Sequence, residues 1–519
     1  MTVLHDWIKM AGNPHILPGD TTSWGVAHGA TVYFPEGEDG YKYWQIYINV
    51  KSLDPIWEVL NLVRSNDGLN WTEDGVTNPI ADDGSGEMIV DPHFIKVGAT
   101  WMLYAYRGID LYRYTSADGL TWTPDVAACD LDGLATLCPT VIYKDGVYHM
   151  WVMTTSFVDH KLAYLTSNDS VTFTSHVSNP VFDPSDTLQL WHSGVCYYGN
   201  TYHLYWEGYD APGPTRLQLA TSPDGVNWTE KGIVMSTNDQ YWESDRIADP
   251  KVLVDQHGNV TPVYGAVRMY YTGATAVASR MGMAQSMLTG YANLIEEPCI
   301  DGDVYDTEGA YNTWAQMRAK PGTGFSEVAT KGRVYYQGNV TNPYWYSMGR
   351  SIILFDIAPP AGAIELIWAV LSLRTYDRLN QTGGDPTVNI YESDPISDVA
   401  LEAADYANLE DTPLSDEVTY VGFAVDHERY VRFPMNVDGL AVIPLSGYAR
   451  LGAREQKHEA LNVEPPIPTG DNGDALRWHS ADAAGGYRPV LEMNYRLPGG
   501  APEEVVPSQA AKLIAGKLI

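Results

Sequence analysis

Ser65-Asn-Asp-Gly-Leu-Asn-Trp71, Ser116-Ala-Asp-Gly-Leu-Thr-Trp122 and Ser222-Pro-Asp-Gly-Val-Asn-Trp228 are three copies of one phrase, and Ser167-Asn-Asp-Ser-Val-Thr-Phe173 is a worn fourth. Their serines are 51, 51 and 55 residues apart. A fifth, weaker position is Ser286 in Met283–Gly290. Asp-Gly is a tight-turn signal, because Gly supplies φ > 0 and the Asp side chain caps the turn. The aromatic that follows opens the next strand. Upstream of each copy runs an alternating aromatic strand: Trp44–Tyr47, Trp101–Tyr104, Tyr148–Trp151 and Tyr202–Tyr205. Further upstream come short apolar strands beginning at Asp91, Cys138, Ser193 and Asp249. Strand, turn, strand, strand and Asp-Gly turn, repeated about every 50 residues, is the signature of a propeller blade. The period predicts five blades, at about 10–76, 77–127, 128–178, 179–233 and 234–290.

After Glu296 the period stops, while the chain stays β-rich. Gly349–Asp377 and Trp478–Leu497 alternate apolar runs with Pro and Gly turns, which predicts a jelly-roll β-sandwich over 300–497. The expected fold class is therefore all-β: a five-bladed propeller over 1–295, then the sandwich. A Pro/Gly/Glu linker at 498–507 leads into a short amphipathic tail, Ser508–Ile519, which reads as a docking helix or assembly contact.

The bulk composition narrows the partners. The chain has 519 residues, with 65 acidic and 32 basic side chains and a net charge of −33. That balance excludes nucleic acid, which needs clustered Lys and Arg, and disfavours anionic membranes. No apolar run is long enough to span a bilayer. Sixteen Trp and 35 Tyr exclude a disordered chain. Met1–His15 has no signal-peptide pattern, so the expectation is a virion or other extracellular surface reached without one, with the cytoplasm as alternative. Cys129, Cys138, Cys196 and Cys299 form no metal or redox spacing; they read as free thiols, with a Cys129–Cys138 bridge the alternative.

On the repeated turns, the Asp-Pro openings Asp91-Pro92 and Asp249-Pro250 and the strand Tyr202–Gly208, the first half resembles the five-bladed glycosidases, nearest to glycoside hydrolase family 43 and its relatives. The second half is similar to jelly-roll modules of secreted and virion proteins, on Arg350, Phe355-Asp356, Ala363-Ile364 and Arg488–Glu492. The first resemblance implies that each innermost strand aims one residue at a central funnel. It also implies a base Asp, a pKa-tuning Asp and an acid Glu on three consecutive blades, a pair of carboxyls flanking a glycosidic bond.

Lining up the inner strands gives His28, Asp91, Cys138, His192 and Asp249. Only Asp91 matches the family's pattern, and Cys138 stands where the acid belongs. A relocated pair drawn from Asp91, Glu207 and Asp249 is the catalytic candidate. His28, His192, Trp24, Trp191, Trp206, Trp242, Glu243, Asp245 and Arg246 are candidates for holding sugar, the indoles through ring stacking. No local metal motif is present, but two Asp, two His and one Cys pointing inward can hold a divalent cation such as Ca²⁺.

Two functions follow. One is a glycan-recognising adhesin with a degenerate glycosidase site, displayed on a virion or tail as a homo-oligomer. The other is an active glycoside hydrolase. Both take a polysaccharide or cell-surface glycan as partner.

Overall fold

The computed structural model describes residues 4–16, 23–53, 56–81, 86–154, 160–184, 189–209, 215–237, 242–327, 331–339, 344–423, 430–466, 472–482 and 487–500. The tail Ser508–Ile519 lies outside them. The chain forms two compact units, one ending at Leu288 and the other beginning at Thr289.

In the first unit, three antiparallel sheets have four strands each, and a seven-stranded sheet combines two further meanders. Those two meet at a single parallel pair, Ser279 with Gly25. The innermost strands are Gly25–Glu38, Ile89–Val97, Thr136–Lys144, Gln189–Tyr198 and Arg246–Val252. Each neighbours the next, and the last returns to the first. The contacts between these inner strands thus close a ring.

The closing differs from the sequence reading in one respect. Ile8 and Lys9 pair with Gln285 and Ala284, so the first strand of the chain completes the last blade rather than the first. Lys9 then donates to the carboxylate of fully buried Glu243 and to the Ser236 carbonyl at 2.7 Å. Tyr271 donates to the same carboxylate at 2.9 Å. Leu4 is fully buried, and its carbonyl accepts from Tyr205 at 2.7 Å. An N-terminal strand therefore ties the ring shut, which spares the propeller two open sheet edges.

The repeated phrase builds the same turn each time. Ser65 Oγ accepts from the Asp67 and Gly68 amides, and Asp67 Oδ1 accepts from those of Leu69 and Asn70. Ser116/Asp118, Ser167/Asp169 and Ser222/Asp224 repeat these bonds. Gly119 shows why glycine serves here. Its φ is +74°, and a Cβ would lie 2.9 Å from the Trp101 ring and 3.0 Å from Trp44.

The second unit starts earlier than the period suggests. Tyr291–Glu296 pairs with Val490–Arg496, so these residues belong to the second sheet system and not to the propeller. The long strand Glu365–Asn380 joins two sheets. Its first half pairs with Val490–Arg496 and Tyr430–Pro434, and its second half with Asn472–His479. Leu371, Leu491 and Met493 meet Ile353, Phe355, Ile390 and Leu451 in one buried cluster, as the two faces of a β-sandwich do. All four cysteines are free, and Cys299 alone is exposed.

Candidate functional site

The five inner strands share a backbone irregularity at one position. His28, Asp91, Cys138, His192 and Asp249 have φ of 52°, 53°, 52°, 21° and 52°. In each strand the pairing register with the next strand shifts at that residue. A residue added in the left-handed region makes a β-bulge, which turns its side chain out of the sheet plane. Repeated five times around a ring, the bulges gather these side chains into one pocket with Pro92, Pro139, Ser193 and Lys251.

Within it, charges interlock. His28 Nδ1 lies 2.9 Å from Asp91 Oδ1, and its Nε2 lies 3.3 Å from Asp249 Oδ1. His192 Nδ1 sits 3.1 Å from that same Asp249 oxygen and 2.9 Å from Glu207 Oε2. The two imidazole rings meet edge to face at 4.2 Å. Burial works against a charge on His28, but Asp249 and Asp91 outweigh it and raise its pKa to about 9. Burial likewise opposes the Asp91 carboxylate, and bonding to His28 outweighs it, holding that carboxyl well below the usual range. Asp249 is lowered too; burial opposes the shift while His192, His28 and Arg246 drive it.

Asp91 Oδ2 also accepts from the Cys138 backbone amide at 3.1 Å and from its thiol at 3.4 Å. Burial and Asp91 push the Cys138 thiol far above its ordinary value. It is a neutral donor and not a nucleophile. Lys251, half-buried, donates to Ser193 O at 2.6 Å; desolvation lowers its pKa, against the pull of Cys138, Asp249 and Asp91.

The remaining sequence candidates divide. Glu207 is fully buried and held in a fork by Arg246, Nε to Oε1 at 2.6 Å and Nη2 to Oε2 at 2.8 Å. Both oxygens of this carboxylate are thus engaged by one guanidinium. Trp206 is 1% exposed against Phe182, and Trp242 is 4% exposed against Tyr271, so both are blade core rather than sugar platforms. Glu243 is spent on Lys9 and Tyr271. Asp245 is exposed and hydrogen-bonded to Ser244. Trp24 is half-buried against the core. Trp191 is half-exposed between His160, at 4.5 Å, and His192.

Glu58 was not among the sequence candidates. It lies in the strand Ile56–Ser65, opposite Val50. Its pKa is raised, first by burial and then by Asp91 and Asp249, against the opposing pull of His28 and His192. Its one sequence signal is a carboxylate inside the apolar run Ile-Trp-Glu-Val-Leu.

Donor atoms of His28, Asp91 and His192 lie within 4.8 Å of one another, as do those of His192, Glu207 and Asp249. Arg246 already occupies Glu207, which leaves two imidazoles with Asp91 and Asp249. Asp249 Oδ1 is buried, has no hydrogen bond of good geometry and sits between the two rings. These residues fit a divalent ion. Imidazole donors suit a transition ion such as Zn²⁺ better than the Ca²⁺ named from the sequence, which prefers oxygen.

No family model matches the chain. An A type blood N-acetyl-α-D-galactosamine deacetylase from Flavonifractor plautii is 25% identical over 267 residues, covering 40% of this chain and 34% of that protein. The chain thus spans about a third of the length of this curated relative. Among solved structures, an N-acetylgalactosamine deacetylase from F. plautii in complex with blood group B trisaccharide has a TM-score of 0.44 and 20% identity, over 55% of this chain and 96% of that one. The catalytic domain of a Coprinopsis cinerea GH62 α-L-arabinofuranosidase has a TM-score of 0.43 and 15% identity, over 54% and 96%.

Proposed function

We propose that the propeller unit hydrolyses the N-acetyl group of an amino sugar in a glycan. His28, Asp91, His192 and Asp249 would hold a divalent cation, and Glu58 moves the proton. The observation that carries this reading is the axial cluster: two imidazoles and two ionised carboxylates beside a carboxyl of raised pKa. A glycosidic bond needs one protonated and one ionised carboxyl. Asp91 and Asp249 are both held ionised, Glu207 is bound by Arg246, and Cys138 stands in the acid's place.

An amide needs an activated water, a stabilised oxyanion and a proton for the leaving nitrogen. A divalent ion, when bound, supplies Lewis acidity and a more acidic water. Glu58 takes a proton from the attacking water on its carboxylate oxygen and returns it to the departing amine nitrogen. Its raised pKa makes it a better proton acceptor than an ordinary carboxylate. Lys251 offsets the carboxylates from behind, and Trp191 offers a ring face to the sugar. The deacetylase activity of the F. plautii relative supports the choice of bond.

Glycan recognition without turnover is the second reading, favoured by Cys138 in the acid's position. The test is product analysis on N-acetylgalactosamine- and N-acetylglucosamine-terminated oligosaccharides with Zn²⁺ or Mn²⁺ added. Acetate release that stops with chelator and falls at least ~100-fold in Glu58→Gln supports deacetylation. Reducing sugar without acetate makes the protein a glycosidase. Binding with no product makes it a lectin-like adhesin.

A further inference from the structure

The second unit carries a face whose chemistry the axial site does not use. Lys331 and Arg333 lie on one strand, opposite His479 and Arg477 on the next. Their sequence neighbours Val334, Leu476 and Trp478 are 1% exposed or less, so alternation sends the first four outward. On the third strand, Thr375 faces inward opposite Trp478. The register then shifts between Thr375 and Asp377, and Tyr376 is the inserted residue. This bulge brings Tyr376 beside His479, with ring centroids at 5.2 Å and planes at 80°.

The contacts continue outward from there. His479 lies 5.2 Å from the Tyr487 ring, and the Arg374 guanidinium stands 3.9 Å over Tyr487. Lys331 Nζ is 3.5 Å over Tyr376. Tyr376, His479, Tyr487, Lys331 and Arg374 are all half-exposed. Arg333 and Arg477 are matched by Asp303 at 2.7 Å and Asp377 at 2.9 Å, whereas Lys331 has no carboxylate partner among the described residues. In a chain of net charge −33, this is a local excess of cations laid against half-exposed phenol rings.

We propose that this face binds an anionic polysaccharide, one whose sugars carry carboxylate or sulfate. Pyranose C–H groups meet the phenol rings of Tyr376 and Tyr487, and the acid groups meet Lys331 and Arg374. Charge complementarity selects the occupant: the patch is cationic, while the acidity of the rest of the chain repels polyanions elsewhere. The site does not depend on the reading of the propeller.

The experiment is affinity electrophoresis of the full chain at physiological salt through gels containing polygalacturonate, dextran sulfate or neutral dextran. Retardation by at least one polyanion, and none by dextran, is the expected result. Lys331→Glu is expected to lower the affinity at least ~10-fold, about 1.4 kcal/mol, with the melting temperature unchanged. Tyr376→Ser gives a second variant should the first prove unstable, with the same expected loss. Glu58→Gln should leave the retardation untouched. Retardation by neither polyanion overturns the proposal, as does equal retardation by dextran or by a folded Lys331→Glu protein.

Discussion

Replacing Lys9 by Met tests the closure of the ring. The Lys9 side chain is 14% exposed and Glu243 is fully buried, so the variant takes a charged donor from a core carboxylate to which Tyr271 still donates. Breaking a buried pair from one side costs about 3–5 kcal/mol. A ceiling follows from protonation. Neutralising a carboxyl of ordinary pKa near 4.3 at pH 7 costs about 3.7 kcal/mol, and at pH 5 about 1 kcal/mol. The penalty should therefore sit near 4 kcal/mol at pH 7 and shrink severalfold at pH 5. A unit ending at Leu288 melts with an entropy of roughly 0.6 kcal/mol per kelvin at about 2 cal/mol/K per residue. The expected loss is thus about 6 °C at pH 7 and about 2 °C at pH 5. The assay is calorimetry resolving the propeller transition from that of the second unit, since a two-unit chain need not melt in one step. Lys9→Met/Glu243→Gln should recover most of the loss. A pH 7 loss under about 2 °C, or one that persists undiminished at pH 5, would refute the reasoning.

Other outcomes follow from the same geometry. Glu58→Gln should lower turnover by about 10²–10⁴-fold while substrate binding holds, read as kcat against KM. In the native protein a small maleimide should label Cys299 alone, since the other three thiols are buried; labelling of Cys138 at a comparable rate would contradict its burial. Burial raises the Asp301 carboxyl to about 7, against two bonds from the Ala481 amide. The folded second unit then holds a proton that the unfolded chain has released, so its stability should fall as pH rises from about 4 to about 7, by up to roughly 1.4 kcal/mol per pH unit. Asp301→Asn should flatten that slope in calorimetry at pH 5 and 7.5.

The propeller was legible because its information is local and repeated. Ser65–Trp71 and its copies each specify a turn through bonds spanning a few residues, and the period did the rest. The five axial residues followed from the same alignment. What the sequence hid was long-range. Lys9 meets Glu243 across 234 positions, and no pattern within either segment points to the other. Trp206 and Trp242 had the right residue type beside the right strands, but alternation along Thr201–Tyr209 turns Trp206 into the core, and Trp242, in the turn before Arg246–Val252, packs on Tyr271. Glu207 reads in the sequence as a catalytic candidate, but Arg246, 39 residues on, clasps it. Glu58 escaped because its raised pKa comes from burial first and then from Asp91 and Asp249, which lie on other strands. The sandwich boundary was misplaced for a similar reason: the partner of Tyr291–Glu296 lies near residue 490.

The five bulges make the axis an exchangeable set of sockets. Each axial side chain is presented by the backbone of its own blade, at nearly the same φ in four of the five, so its identity can change without reshaping the backbone of the other blades. The left-handed backbone limits the choice: Asp, Asn, His and Gly enter cheaply, while Val, Ile and Thr are strained there. A lineage built on this ring can therefore move between acid–base pairs, metal ligands and inert linings by single codon changes. A library of those permitted residues at positions 28, 91, 138, 192 and 249 should stay folded while its chemistry varies.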